Sequence, residues 1–167
     1  MIDIAEILDD DLLAACVPVI RAAFQTVADD LGLTEENAPT NPAFMTLERM
    51  REARGRGVRM FAALEGDAAG AAPVGFVALE RSRRPGVLYL ERLAVLPAVR
   101  HRGLGRALMD RAFTEARAAG VEWISIGIVD EHELLKRWYL AYGFAETGKK
   151  RFEHLPFTVC FMEKAVG

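Results

Sequence analysis

The stretch Arg100-His101-Arg102-Gly103-Leu104-Gly105-Arg106 follows Pro97 and an apolar segment, residues 87–96, and it opens a helical pattern over residues 103–119. Glycines between a strand and a helix lack Cβ atoms, so backbone N–H groups can approach a bound phosphate closely. The first helical turn adds unpaired N–H donors and partial positive charge. The sequence therefore predicts an anion site here, reinforced by Arg100, Arg102 and Arg106.

Two well-known phosphate motifs do not describe this stretch. It lacks the Gly-Lys-Ser/Thr ending of a Walker P-loop, and it lacks the third glycine and later acid of a dinucleotide fingerprint. Taken alone, the arginine and glycine spacing is equally compatible with a tight turn whose arginines are solvated. The rest of the chain has to decide between the two interpretations.

Hydrophobic periodicity divides the chain into strands and helices that alternate along most of its length. Helices are predicted from acidic caps at Asp9–Asp11 to about residue 30, from Asn41 and Pro42 to Gly55, over 103–119 and over 131–142. Strands are predicted near residues 2–7, 60–65, 74–79, 87–96, 121–129, 147–152 and 157–164. Pro18 predicts a kink or a break in the first helix. This order indicates one α/β domain, residues 1–167, with a mixed sheet in which strand 87–96 is buried on both faces.

Composition narrows the class of protein. The 167 residues are 51% hydrophobic and carry a net charge of −3, with 21 Lys and Arg against 24 Asp and Glu. A nucleic-acid partner is not expected, because such binders usually carry a basic surplus. Cys16 and Cys160 lie far apart without Cys/His spacing, so neither a disulfide framework nor a metal site is expected. No signal-peptide pattern or uninterrupted membrane-spanning run is present, which predicts a cytoplasmic protein without a membrane partner.

Two motifs in order resemble the GNAT superfamily of N-acetyltransferases. The first is Leu93-Ala94-Val95-Leu96-Pro97 followed by Arg100-x-x-Gly103-x-Gly105 and a helix; the second is Tyr139-Leu140-Ala141-Tyr142-Gly143-Phe144. The resemblance implies a single-domain fold with a mostly antiparallel mixed sheet of about seven strands flanked by about four helices. It also implies acetyl-CoA as co-substrate, without a metal.

For the cofactor, the resemblance implies that backbone groups of Leu93, Ala94 and Val95 pair with the pantetheine arm. The strand that holds them would carry a bulge and splay from strand 121–129. The pyrophosphate would be held by backbone N–H groups of Arg100, His101, Arg102, Gly103, Leu104, Gly105 and Arg106. His132 stands where the family commonly has an asparagine, so the hydrogen bonding at that contact is expected to differ.

Acyl transfer to an amine needs a neutral amine, an aligned thioester and a proton for the leaving thiolate. Tyr139 is the predicted general acid, because a phenol with a pKa near 10 remains protonated at neutral pH. The alternative is that Tyr139 only packs on the sheet with Trp138 and Tyr142. Glu91 is the candidate base, since a carboxylate inside a buried strand is costly unless it is functional or paired with an arginine across the sheet. Arg92 is expected on the opposite face from Glu91.

His154 is a weaker candidate for base or acceptor contact, beside Pro156 in the last predicted turn. A histidine in such a turn is more often structural or solvated. The loop over residues 34–41 is a further candidate for lining the acceptor pocket.

The expected function is direct transfer of an acetyl group from acetyl-CoA to a primary amine in a ternary complex. No cysteine lies in a recognisable nucleophile setting, which argues against a covalent intermediate. The acceptor is left open between a small molecule and a peptide or protein amine, and a homodimer is compatible with the sequence. The alternatives are a non-catalytic acyl-CoA-binding or sensing module and a protein for another phosphate ligand.

Overall fold

The computed structural model describes residues 2–67 and 69–167. Within them, the strands are β1 Ile2–Glu6, β2 Arg59–Glu65, β3 Ala72–Arg81, β4 Val87–Val95, β5 Trp123–Val129, β6 Ala145–Arg151 and β7 Thr158–Ala165. The α-helices are α1 Asp10–Leu31, α2 Leu47–Gly55, α3 Leu104–Ala118 and α4 Glu133–Tyr142. Met1 and Ala68 lie outside the described residues.

The strands form one mixed sheet in the order β1-β2-β3-β4-β5-β7-β6. Only β4 and β5 pair in parallel, and every other neighbouring pair is antiparallel. The predicted class, a mixed and mostly antiparallel seven-stranded sheet with four helices, is therefore confirmed.

Helix α1 is continuous across Pro18, so of the predicted kink or break the break is wrong. Asp9 caps its start by accepting a 2.8 Å hydrogen bond from the backbone N–H of Leu12. By length and composition α1 is also the one described helix that could cross a membrane. Its apolar side instead packs on the sheet through buried residues that include Leu13, Cys16 and Ile20, as a core helix does.

The segment after Asn41 differs from the prediction. Asn41 caps it and Pro42 begins it as expected, but the result is a short 3₁₀ turn, Pro42–Phe44. Helix α2 begins separately at Leu47, and its cap is Thr46, whose hydroxyl accepts from the N–H of Arg49. Two short caps in succession divide what the sequence pattern presents as one helix.

The two faces of the sheet bury separate sets of side chains. One face, here called the α3 face, packs against α3 and α4 through residues such as Leu90, Leu108, Ile126 and Met162. The other, the α1 face, packs against α1 and α2 through residues such as Phe76, Ala78 and Ala94. Side chains that alternate along a strand therefore project towards different helices.

Strand β4 contains a bulge at Arg92, whose φ of 55° is left-handed. Ala78 pairs with Glu91 and Phe76 pairs with Ala94, so β4 has one residue more than β3 between these pairs. The extra residue lets Leu90 and Leu93 both contact the α3-side core. The prediction that this strand is buried on both faces is wrong, because Tyr89 is 37% exposed on the α1 face.

Strands β4 and β5 stay together for only three residue pairs, which end at Tyr89 with Ser125. Beyond this point β4 continues to Val95 and β5 to Val129, with no pairing between them. The sheet is thus open between its two central strands, towards the end where the Arg100–Arg106 stretch lies.

Candidate functional site

The start of α3 has no side-chain cap. Gly103 occupies the cap position at φ 81°, and no acidic residue lies in the first turn. Among the described residues, the backbone N–H of Ala107 donates to Gly103 at 3.0 Å, whereas the N–H groups of residues 101–106 have no acceptor. His101 also has a positive φ, 65°. Successive free N–H groups in such a turn form a concave anion site.

Gly105 has a different role from Gly103. A Cβ atom at Gly105 would lie 3.4 Å from the Trp138 ring of α4. The glycine therefore lets α4 pack closely beside the first turn of α3. Of the two glycines in the predicted motif, Gly103 is therefore needed for its backbone conformation and Gly105 for the packing of α4.

The three arginines around this turn differ in their partners. The Arg100 guanidinium donates to the carbonyl of Ala23 on α1 at 2.8 Å and to the carbonyl of Val95 at 3.3 Å. It is therefore bound to the protein, contrary to the expectation that this side chain reinforces an anion site. Arg102 pairs with Glu65 at 2.6 Å on the exposed surface, and Arg106 lies 5.5 Å above the Tyr142 ring.

The predicted pantetheine strand lies along the opening of the sheet. On one side Ala94 and Val95 pair with β3, opposite Phe76 and Gly75. On the other side, this part of β4 has no strand partner. An unpartnered strand edge can accept an extended ligand as an additional strand.

Tyr139 lies on the α3 face, in the same packed cluster as Leu93, Val95 and Ile128. It is 5% exposed, and its ring makes edge contacts with Trp138 at 5.0 Å and Phe144 at 5.5 Å between ring centroids. Its hydroxyl makes no hydrogen bond with the described residues and is not among the side-chain atoms sealed from solvent. Burial raises the pKa of Tyr139 well above that of a free phenol, so the group stays protonated at neutral pH.

Glu91 lies on the α1 face, and burial raises the pKa of its carboxyl above the ordinary value. Its partner is its neighbour Arg92, at 3.2 Å, which opposes this rise. The expectation that Arg92 points to the opposite face is wrong, because the bulge breaks the alternation of side chains. Glu80 raises the pKa of Glu91 further and Arg56 lowers it.

The two candidate histidines lie apart from each other. His132 caps α4, and its Nδ1 accepts a 3.2 Å hydrogen bond from the N–H of Leu135. Its other ring nitrogen remains for any contact with a ligand. His154 is exposed in the turn between β6 and β7, where its ring lies 5.7 Å from that of Phe152.

The same turn packs against the loop over residues 34–41. Leu155 and Phe157 share a small apolar cluster with Ala38 and Phe44, next to the end of α1. These two segments therefore form one wall on the α1 face. That wall stands over the upper ends of β5 and β7, since Val129 and Val159 belong to the same cluster.

Ser125 was not among the predicted site residues; it is the one polar residue among those of the described chain that are buried. The sequence could have pointed to Ser125, because in Ile124-Ser125-Ile126-Gly127-Ile128 large apolar residues alternate with small ones. This period of two predicts one apolar face and one face left for other contacts.

One described cluster has the composition of a metal site, namely Asp130, Glu146 and Cys160. Two lysines already neutralise its carboxylates. Lys136 lies 2.5 Å from Asp130 and 3.4 Å from Glu146, and Lys149 lies 3.2 Å from Asp130. Ammonium groups at these positions repel a divalent cation, so the cluster is an ion-pair network.

Solved structures with the same fold include several acetyltransferases. PaiA N-acetyltransferase from Thermoplasma acidophilum, solved with coenzyme A, superposes with a TM-score of 0.77 at 17% identity over 99% of each chain. The ribosomal-protein-S18-alanine N-acetyltransferase from Escherichia coli gives 0.75 at 17% identity, over 99% of this chain and 94% of that chain. YncA from Salmonella typhimurium, solved with its cofactor acetyl-CoA, gives 0.68 at 17% identity, over 100% of this chain and 95% of that chain.

At the level of sequence, residues 24–144 match the family model described as Acetyltransferase (GNAT) family. The match spans more than half of the chain and contains the open β4 edge, the uncapped start of α3 and Tyr139. The protein therefore belongs to the GNAT acetyltransferase family.

Proposed function

We propose that this protein transfers an acetyl group from acetyl-CoA to a primary amine by direct attack in a ternary complex. The observation that carries the proposal is the uncapped start of α3, with free backbone N–H groups at residues 101–106, beside an unpaired edge of β4. An anion at the first feature and an extended chain along the second together fit the pyrophosphate and pantetheine of one cofactor.

In this arrangement Leu93, Ala94 and Val95 hold the pantetheine arm through backbone groups, and residues 100–106 hold the pyrophosphate. His132 offers its free ring nitrogen at the start of α4. Acetyl-CoA supplies an activated thioester carbonyl, and no metal is needed to polarise it. The protein has to align that carbonyl with an amine, remove a proton from the amine and supply a proton to the thiolate.

Tyr139 is the proposed general acid. When the amine nitrogen forms its bond to the carbonyl carbon and the carbon–sulfur bond breaks, the thiolate takes the phenol proton. The raised pKa of Tyr139 keeps that proton in place until it is needed. Its unpartnered hydroxyl is free to donate in the bound state.

Glu91 is the proposed base, acting directly or through a water molecule. An acceptor ammonium with a pKa near 10.4 must lose a proton, which costs about 4 to 5 kcal/mol at pH 7. Burial raises the pKa of Glu91, which makes its carboxylate a stronger base than an exposed one. Because the base must be ionised, activity should rise with pH through the raised pKa of Glu91 and fall below it.

The acceptor remains open between a small-molecule amine and an amine of a peptide or protein. The Escherichia coli relative is described as acting on an alanine of a ribosomal protein, and that acceptor is not carried over here. The turn that carries His154 and the loop over residues 34–41 form one wall of the α1 face, which supports a role for them beside the acceptor. The buried free thiols of Cys16 and Cys160 support a reducing, cytoplasmic location.

The test is Tyr139→Phe, with thiol release from acetyl-CoA measured over a panel of amines. We expect the loss of the proton donor to lower kcat by about 100-fold or more, while the affinity for coenzyme A stays at the wild-type level. Tyr142→Phe is the matched control, because its hydroxyl donates to Asp110 at 2.6 Å and is not assigned to catalysis.

Equal turnover in wild-type protein and Tyr139→Phe would remove Tyr139 from the reaction. Tight binding of coenzyme A without turnover of any amine would instead favour the sensing module. A third result, coenzyme A binding no better than ADP, would reject the cofactor itself.

A further inference from the structure

A row of side chains crosses the α1 face of the sheet at the point where β4 and β5 separate. Register pairs Glu80 with Tyr89, Tyr89 with Ser125, and Ser125 with Glu163. Residues paired in this way share a face, and their strand neighbours such as Leu90 pack on the α3 face. The row therefore lies on the side of the sheet opposite Tyr139.

Ser125 lies in the middle of this row and is 4% exposed. Its hydroxyl makes no hydrogen bond with the described residues, yet it is not among the side-chain atoms sealed from solvent. A hydroxyl that has no partner among the described residues and that solvent can reach is free to bind a ligand. Its position is consistent with a ligand that reaches it from the opening of the sheet.

The α1 face is open next to Ser125, on the side of the opening between β4 and β5. Beyond Ser125 on the row, the Glu163 carboxylate is bound by Arg84 from the turn before β4. Two residues further along β5, Gly127 is exposed on the same face. A ligand can therefore reach Ser125 from the α1 face, past Gly127.

We propose that the Ser125 hydroxyl binds the acceptor amine, by accepting a hydrogen bond from its nitrogen. This inference rests on the proposed acetyl transfer and adds a residue to it. Glu91 lies on the same face as Ser125, two residues along β4 from Tyr89, the residue opposite Ser125. Both side chains therefore border the part of the α1 face where β4 and β5 separate.

The two proton transfers of the reaction would then take place from opposite faces of the sheet. Ser125 and Glu91 hold and deprotonate the amine on the α1 face, and Tyr139 protonates the thiolate from the α3 face. The attacked carbonyl would lie between them, in the opening. Ser125 thereby fixes the side from which the acceptor enters.

The experiment compares wild-type protein with Ser125→Ala and Ser125→Cys. Acetyl transfer from acetyl-CoA is measured to phenethylamine, spermidine, L-lysine and an alanine-terminated peptide. For the best of these amines we expect kcat/KM to fall about tenfold in both variants, the loss of one hydrogen bond. The KM for acetyl-CoA should stay constant. The Tm should stay at the wild-type value, because the Ser125 hydroxyl makes no hydrogen bond with the described residues.

Thr114→Ala is the matched control. The Thr114 hydroxyl lies on α3 and donates to the Asp110 carbonyl at 3.0 Å, remote from the opening. It should leave both KM values and kcat unchanged. Ser125→Cys separates hydrogen bonding from volume, because a thiol fills nearly the same space but accepts hydrogen bonds weakly.

The outcomes are distinguishable. Wild-type turnover with unchanged kcat/KM in both Ser125 variants overturns the role of Ser125 and leaves the acetyl transfer standing. A fall in Tm in the Ser125 variants, with turnover lost in proportion to folded protein, makes the residue structural and also overturns it. No turnover of any of the four amines by the wild-type protein rejects the proposed function, and this inference with it.

Discussion

Helices α1 and α3 begin in opposite ways. At the start of α1, the Asp9 carboxylate accepts from the N–H of Leu12, and Asp10 and Asp11 add negative charge to the first turn. At the start of α3, Gly103 has no side chain to offer, and the nearest charged neighbours are Arg102 and Arg106. The start of α1 therefore receives its hydrogen-bond acceptor and its negative charge from the chain itself, whereas the start of α3 receives neither.

This contrast between the two helix starts indicates where a ligand binds. Negative charge stabilises a helix N-terminus, and a protein that does not supply it at a surface turn leaves the place for an anion from outside. The positive φ values of His101 and Gly103 are typical of turns in which successive N–H groups line a concave anion site. Changes at the two helix starts should therefore have separate effects, on folding at α1 and on cofactor binding at α3.

The largest effect is expected from Gly103→Val. The φ of 81° is strained for a β-branched residue, so the turn that carries the free N–H groups has to change its conformation. We expect the affinity for coenzyme A to fall by about 100-fold or more, or roughly 3 kcal/mol, measured by calorimetric titration.

Gly120→Val is the control for that change. Gly120 has a similar φ, 72°, and equally open surroundings, but it lies beyond the opposite end of α3. It should lose comparable stability and keep its affinity for coenzyme A. Equal losses of affinity in the two variants would contradict an anion site at Gly103.

A smaller effect of another kind is expected from Asp9→Ala. Removing the cap of α1 should lower the free energy of unfolding by about 1 kcal/mol, measured by urea denaturation. The affinity of the folded protein for coenzyme A should not change. A loss of affinity that exceeds the loss of stability would mean that the two helix starts are coupled, through Arg100 and the carbonyl of Ala23.

The smallest effect is expected from Arg102→Ala. Arg102 is exposed and paired with Glu65, so it adds a screened charge near the anion rather than a fixed contact. We expect a loss of affinity for coenzyme A of about threefold, below 1 kcal/mol, that shrinks further as salt is added. If Arg102→Ala lost more affinity than Gly103→Val, the arginines rather than the backbone would hold the anion.

Much of the fold was predictable because periodicity and caps are local signals. Asp9 marks the start of α1, Gly55 the end of α2, and the apolar runs mark each strand within a few residues. The failures occurred where two local signals competed. Pro42 reads as the first residue of a helix, but Thr46 provides a second cap and starts α2 anew.

The site was predictable in its backbone and less so in its side chains. The glycines and Tyr139 follow from motif and spacing, whereas the partners of Arg100 and Arg92 depend on tertiary structure. Nothing in the sequence marks Arg92 as left-handed, so its contact with Glu91 could not be anticipated from alternation. The position of Ser125 between Tyr89 and Glu163 follows only from the register of three strands.

The three residue pairs between β4 and β5 have a consequence for the order of folding. Strands β2, β3 and β4 are successive in the chain and antiparallel, so they can assemble through short turns. The pairing of β4 with β5 is parallel, and it waits for the connection through α3. Non-local pairing bears more loop-closure entropy, so this seam is expected to form after β2, β3 and β4 have assembled. The cleft for the cofactor would then be completed late in folding, and a bound ligand that bridges it would slow unfolding more than it speeds folding.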